Sequence, residues 1–196
     1  MNKQQLLTQF SLRLPEQYHH EAVNRASSAN PKQVRKASVL IGCVERDDQL
    51  FVILTRRAKH LKHHPGQISF PGGKYEESDS SLIHTALRET EEEIGIHADQ
   101  ISVVGLLPEL MTVSHFMVTP VIALISSDYQ IQMDRNEVDD VFEVPASHLF
   151  DIKQLYTQVF KINQQRHRVF AVPYNEHFIW GVTAQIIQAL QRQLRE

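Results

Sequence analysis

The sequence predicts an α/β (α+β) domain built on a mixed β-sheet. Three observations lead there. Two apolar, β-branched runs at 37–45 and 49–56 flank the polar stretch Arg46-Asp47-Asp48, which reads as strand, turn and strand. A helix with an apolar stripe covers about 80–94, and further strand runs follow it, so hairpins and longer crossovers coexist in one chain. Finally, 42% of the 196 residues are hydrophobic, enough for one compact domain with a core and too few for two large ones.

The elements follow in order. Residues 1–35 read as an N-terminal, partly helical extension packed on the main domain of residues 36–196. Leu6, Leu7, Phe10 and Leu14 recur there at helical spacing, Pro15 interrupts them, and Ser27-Ser28-Ala29-Asn30-Pro31 reads as a loop. After the hairpin, a His- and Lys-rich loop at 58–66 leads to a short strand at 67–70, stopped by Pro71-Gly72-Gly73. Asp79, Ser80 or Ser81 caps the central helix, and Gly95 ends it in the left-handed position. Strands are expected at 101–107, 117–125, 156–162 and 168–173. Pro120 cannot donate to a ladder, so its strand is expected at an edge or a bulge. A last helix covers 180–194, and Phe178 and Trp180 are expected in the core rather than as a platform for adenine. No internal repeat or low-complexity tract breaks the pattern.

Charge and composition exclude several functions. A net charge of -3 and a pI near 6.4 suggest no polyanion-binding surface, so nucleic acid and acidic membranes are not expected partners, while a small phosphorylated ligand is allowed. The one cysteine, Cys43, lies in the apolar run Val39-Leu40-Ile41-Gly42-Cys43-Val44 and reads as a small buried hydrophobe. No internal disulfide can form, which fits a reducing compartment. The first residues, Met1-Asn2-Lys3-Gln4-Gln5, carry no secretory pattern, the last, Gln193-Leu194-Arg195-Glu196, no targeting tail, and no run reaches the roughly 18 apolar residues of a membrane span. A cytoplasmic protein is expected.

The chemistry concentrates on the central helix. At 100° per residue, Ile83, Ala86, Leu87, Thr90 and Ile94 form a buried stripe, and Glu89, Glu92 and Glu93 are expected together on the opposite side. These carboxylates repel each other and lie in the last turns, where the helix dipole prefers cations. A hard divalent cation such as Mg²⁺ or Mn²⁺ would reverse that penalty. A bare Glu-x-x-Glu-Glu is equally the mark of a solvated acidic face. Its surroundings favour the metal: Gly72-Gly73 can bring backbone close to a phosphate, and Arg88 can pair with a neighbouring carboxylate and fix its orientation.

Gly73-Lys74-Tyr75-Glu76-Glu77-Ser78-Asp79 with Arg88-Glu89-Thr90-Glu91-Glu92-Glu93-Ile94-Gly95-Ile96 resembles the Nudix box, G-x5-E-x7-R-E-U-x-E-E-x-G-U with U a bulky apolar residue. Three positions depart: Thr90 stands at a U position, Asp79 replaces the first Glu, and eight residues rather than seven separate it from Arg88. The preceding stretch, Ile53-Leu54-Thr55-Arg56-Arg57-Ala58, then Lys62, Gly66 and Phe70-Pro71-Gly72-Gly73, resembles the signature of the Nudix coenzyme A pyrophosphatases, with Ile53 for Leu and Lys62 for Arg. Asn136-Glu137-Val138-Asp139-Asp140 is similar to a late Nudix segment, and 178–184 to the start of the subfamily's last helix.

The resemblance implies a Nudix-like α/β/α sandwich with a mixed sheet. It implies Mg²⁺- or Mn²⁺-dependent hydrolysis of a nucleoside diphosphate derivative, here coenzyme A, to 3′,5′-ADP and 4′-phosphopantetheine. Glu89, Glu92 and Glu93 would hold metal, Arg88 would orient them, and the base would be a helix glutamate or Glu137. Arg57, Lys62, Gly72 and Gly73 would contact the substrate. His60, His63 and His64 lack a Cys or acidic partner at ligand spacing, so zinc is not expected. Other substrates of the same fold (ADP-ribose, a dinucleoside polyphosphate, NADH or a damaged nucleotide) and a non-catalytic nucleotide-binding module are the alternatives. The oligomeric state is open, a homodimer included.

Overall fold

Alternation of side chains along strands sets the layers in the computed structural model of the chain, which describes residues 1–22, 24, 30, 33–162 and 165–194. In β1 (Arg35–Arg46), Leu40 and Val44 enter one apolar cluster, while Ile41 and Cys43 enter another on the opposite face. In β2 (Gln49–Arg57), Ile53 joins the first cluster and Val52 and Leu54 the second. Asp47 and Asp48 between them hold φ of 47° and 59°, the left-handed pair that a two-residue hairpin turn requires. Cys43 is fully buried, and burial pushes its thiol up to about 12.

Downstream come β3 (Ile68–Ser69), β4 (Gly72–Lys74), β5 (Ile101–Leu106), β6 (Leu110–Met111), β7 (Phe116–Ile125) and β8 (Val138–Pro145), and these complete one eight-stranded sheet among the described residues. β1 runs parallel to β7 along ten residue pairs, and its other neighbours are antiparallel, so the sheet is mixed. β1 and β2 pair only near their turn, at residues 43–46 with 49–52. Beyond that they fork: β2 pairs with β3 and β8, and β1 with β4. Pro71 lies in the fork, its carbonyl accepting from Leu40 N–H at 2.8 Å. The glycines expected to stop a strand therefore begin a new one.

Pro120 corrects one half of a second expectation, the edge; the other half, a bulge, has a counterpart in the register shift between Val103 and Gly105 in the β5–β7 ladder. Its strand, β7, is interior, between β1 and β5. The proline is tolerated because it faces the gap between β5 and β6, where its carbonyl accepts from Leu107 N–H at 3.0 Å and no ladder donor is needed from it.

Helix α2 (Leu82–Ile94) covers one face through Ala86 and Ile94. The other face carries α1 (Lys3–Ser11) and α4 (Val182–Gln193), with α3 (Ala146–Leu149) ahead of a three-stranded antiparallel sheet of β9 (Tyr156–Ile162), β10 (Gln165–Tyr174) and β11 (His177–Trp180). Leu6 and Phe10 of α1 share a cluster with Ile186, Leu190 and Leu194, while Leu14, beyond the helix, is exposed. Burying Leu6 fully stabilises by about 2 kcal/mol. Gln193 Nε2 donates to the carbonyls of Phe10 and Arg13, tying the extension to the last helix. Of the loop expected at 27–31, all but Asn30 lies outside the described residues.

The last helix begins at Val182, two residues later than expected, after Gly181 with a φ of 71°. Residues 177–180 form a strand instead. His177 and Ile179 point inward and Phe178 and Trp180 outward, 59% and 44% exposed, so the expectation that these aromatics are core is overturned. No helix among the described residues is long and apolar enough to cross a membrane.

Candidate active site

The fork in the sheet and the helix above it bring most of the candidate residues together. Ser81 caps α2, its Oγ accepting from His84 N–H at 3.1 Å, and Gly95 closes the helix at a φ of 75°. Just before the cap, Asp79 is buried. Its carboxylate accepts from Arg88 Nε at 2.9 Å and Nη2 at 3.1 Å, from Thr85 Oγ1 at 2.9 Å and from Glu76 N–H at 3.0 Å, and it meets His84 Nδ1 at 2.9 Å. The Arg88 guanidinium, first among these, holds Asp79 well below the usual carboxylate range. The short acid at the departing box position thus anchors the arginine.

Arg88 is the hub. Besides Asp79 it pairs with Glu89 at 3.0 Å and Glu92 at 2.7 Å, and it donates to the carbonyl of Lys74 at 3.0 Å. It fastens the helix to the end of β4 and orients two of the three helix carboxylates, the arrangement expected of it.

The three carboxylates do not share one face opposite the core. Glu93 follows Ala86 by seven positions, nearly two full turns, so it lies at the border of the apolar stripe and is 3% exposed. Its Oε2 accepts from Gly72 N–H at 3.2 Å. Burial raises its carboxyl to about 8; the Gly72 bond and Arg57 oppose this, and the charges of Glu89 and Glu137 add to it. Glu89 is half-buried and also raised, by burial first, with Arg88 opposing. Glu92 turns outward to Arg88, its side chain 60% exposed.

Gly73 makes room for Glu89, and Gly72 for the backbone of β1. A Cβ on Gly73 would lie 2.4 Å from the Glu89 carboxyl carbon. One on Gly72, whose φ is 149°, would lie 2.3 Å from the Ser38 carbonyl oxygen. The space at Gly73 is taken by the Glu89 carboxylate, while Gly72 lies against the backbone of β1 at Ser38 and Val39.

Glu137 is exposed at the start of β8, with its charge acting on both Glu89 and Glu93. Arg57 ends β2 and faces Glu93 electrostatically. Lys62 stands exposed on the loop at 58–66, and its side chain has no polar partner among the described residues. His60, His63 and His64 are exposed on the same loop. Three metal-capable atoms within 4.8 Å of one another occur instead in His19, His20 and Glu21, where the charges of Arg168 and Arg192 reach His19 and oppose a cation.

Sequence reasoning missed Asp79 as a site residue, although its place in the box pointed to it. It also missed the outward aromatics of β11. The turn at Asn175, which has a φ of 50°, and the alternation from His177 to Trp180 were the available signals.

The inner carboxylates fit a hard divalent cation. Two half- to fully buried glutamates face one strand with carboxylate oxygens, and among the described residues Glu93 has a single hydrogen bond. Two acids raised by burial are costly unless a cation compensates them.

Residues 34–171 match the NUDIX domain. Over 191 residues the chain is 38% identical to the uncharacterized Nudix hydrolase NudL of Pectobacterium atrosepticum, covering 97% of this chain and 93% of that protein. It is 37% identical over 188 residues to the NudL of Salmonella newport, covering 96% and 92%. Among solved structures, a MutT/nudix family protein from Enterococcus faecalis superposes with a TM-score of 0.51 at 14% identity, covering 97% of this chain and 73% of that one. The Nudix hydrolase RenU of M. smegmatis gives 0.50 at 21%, covering 58% and 72%. These two likenesses concern the fold, the α/β/α sandwich around a mixed sheet.

Proposed function

The chain belongs to the Nudix family, and from that premise we propose that it hydrolyses the diphosphate bond of coenzyme A or a derivative, releasing 3′,5′-ADP and 4′-phosphopantetheine. The observation that carries the chemistry is the convergence of Glu89 and Glu93 on Gly73 and Gly72, with Arg88 paired to Glu89. The observation that supports coenzyme A is the stretch from Ile53 to Gly73. Its Arg57 faces Glu93, and its Phe70-Pro71-Gly72-Gly73 fills the fork of the sheet.

Glu89, Glu92 and Glu93 are the proposed ligands of Mg²⁺ or Mn²⁺. Such a cation, when bound, supplies charge neutralisation for the diphosphate and acidifies a water. Arg88 keeps Glu89 and Glu92 oriented through its bond to buried Asp79. Glu137, or one of the helix carboxylates, accepts the proton of the attacking water as it adds to phosphorus and the bridging oxygen leaves. Arg57 and Lys62 offset the charge of the leaving and retained phosphates. No serine or cysteine nucleophile is required, and Cys43 is buried in the core.

The test is product analysis. Protein and a Glu92→Gln variant are incubated with coenzyme A and Mg²⁺ or Mn²⁺, with ADP-ribose and diadenosine tetraphosphate in parallel, and products are identified by mass. Metal-dependent release of 3′,5′-ADP and 4′-phosphopantetheine, lost in the variant, is expected. Cleavage of only the other substrates would keep the hydrolase and reject coenzyme A. Turnover of none would indicate a nucleotide-binding module.

A further inference from the structure

The outward face of β11 has no role in the chemistry above. Trp180, 44% exposed, stands between two grooves of about 360 Å³ each. Such volumes accept a group of nucleobase or nucleoside size. The first groove runs from Met111 and Val113 to Trp180 and Val182, with Arg168 and Glu21 in its wall. Val113 is as exposed as Trp180 or more so, which leaves apolar surface on both banks. Arg168 Nε is buried with no hydrogen-bond partner among the described residues. A buried donor left unmade is costly, and it is the kind of group a polar ligand edge would satisfy.

The groove is joined to the carboxylates through β3. The Gln67 amide nitrogen lies 3.4 Å from where a Cβ on Gly181 would sit, and Gln67 O accepts from Arg57 N–H at 3.0 Å. Thr183 Oγ1 donates to the carbonyl of Ile68 at 3.0 Å. Across the groove, Met111 pairs with Met117 at the start of β7, beside the first residues of β1. The groove and the fork therefore lie toward the same end of the main sheet, the groove on the side opposite α2.

We propose that this groove binds the nucleobase end of the substrate, with the purine stacked on Trp180 and polar atoms of the base or its ribose phosphate turned to Arg168. The proposal rests on the hydrolase reading only for the identity of the ligand. A planar base suits an exposed indole beside an unsatisfied guanidinium better than a flexible pantetheine chain does, because stacking and a directed donor both reward a rigid polar ring.

Trp180 is the only tryptophan of the chain, so its fluorescence reports on this face of β11, and the Arg168 variant tells the first groove from the second. Neither half-product contains a diphosphate, so titration with each requires no turnover. With Mg²⁺ present, 3′,5′-ADP should quench or shift the emission saturably and 4′-phosphopantetheine should not. Trp180→Ala should raise KM for coenzyme A by about tenfold or more, with the loss in KM rather than kcat. Arg168→Gln, which keeps the indole, should weaken the quenching by 3′,5′-ADP. Absence of a response to 3′,5′-ADP, or a response to 4′-phosphopantetheine alone, would overturn the proposal even if coenzyme A is hydrolysed. Quenching in a protein that hydrolyses nothing would uphold the groove and remove the hydrolase reading.

Discussion

Replacing Glu93 by glutamine tests whether the inner carboxylates are held against their own electrostatic interest. The unfolded side chain titrates near 4.3, while burial in the fold moves it to about 8. The folded state thus favours the protonated acid. Below about pH 4 both states are protonated and the residue costs nothing. Between about pH 4 and 8 the fold loses stability as pH rises, and above 8 the penalty is complete. At pH 7 the interval is roughly 2.7 units, worth at most about 3–4 kcal/mol. Glutamine keeps the size and can still accept from Gly72 N–H, but it carries no charge. In EDTA the variant should therefore melt higher than the parent at pH 8, by roughly 6–12 °C, and at about the same temperature at pH 4. Added Mg²⁺ or Mn²⁺ should raise the parent's melting temperature and not the variant's, through mass action on the folded state. Thermal melts by circular dichroism across this pH range decide it. A variant no more stable than the parent at pH 8, or a difference that does not change with pH, would refute the reasoning.

Other expectations follow from the same geometry. Gly72→Ala drives a Cβ into Ser38 O and Val39 Cα at a φ of 149°, so it should cost about 3 kcal/mol or more in denaturant unfolding. Gly73→Ala meets only the movable Glu89 carboxyl, so it should displace that group, cutting turnover by tenfold or more while the melting temperature barely changes. Asp79→Asn removes the buried partner of Arg88 and should destabilise by about 3 kcal/mol, measurable as a lower urea midpoint. Phe10→Ala empties the space against Gly105 and should cost about 3 kcal/mol; an unchanged midpoint would mean that α1 adds nothing to the core.

Much of the fold was legible because strands and helices advertise their burial at fixed periods. The hairpin of β1 and β2, its turn, the cap at Ser81 and the stop at Gly95 all stand within two residues of where the sequence puts them. Each depends on neighbours close in the chain. The errors share the opposite cause. Pro120 reads as an edge signal, yet its strand is central, because whether a missing donor matters depends on what lies opposite it. Phe178 and Trp180 look like core by composition, and only the inward packing of His177 and Ile179 sends them outward.

The sequence by itself determined the residue types and spacing of the box, the helix that carries it and the net charge of -3. Charge counts and helical periods are properties of the chain alone. Only the tertiary structure decided which acid is buried. Glu92 stays accessible and Glu89 half-buried, both paired with Arg88, while Glu93 sinks against Gly72 because β4 enters the fork at that height. The burial that moves Glu93 toward neutrality comes with the packing of α2 on β1 and β4, segments distant from it in sequence. The same holds for the groove at Trp180, whose walls come from four separated segments. Burial is a sum over neighbours, and those neighbours are chosen by the fold, not by adjacency along the chain.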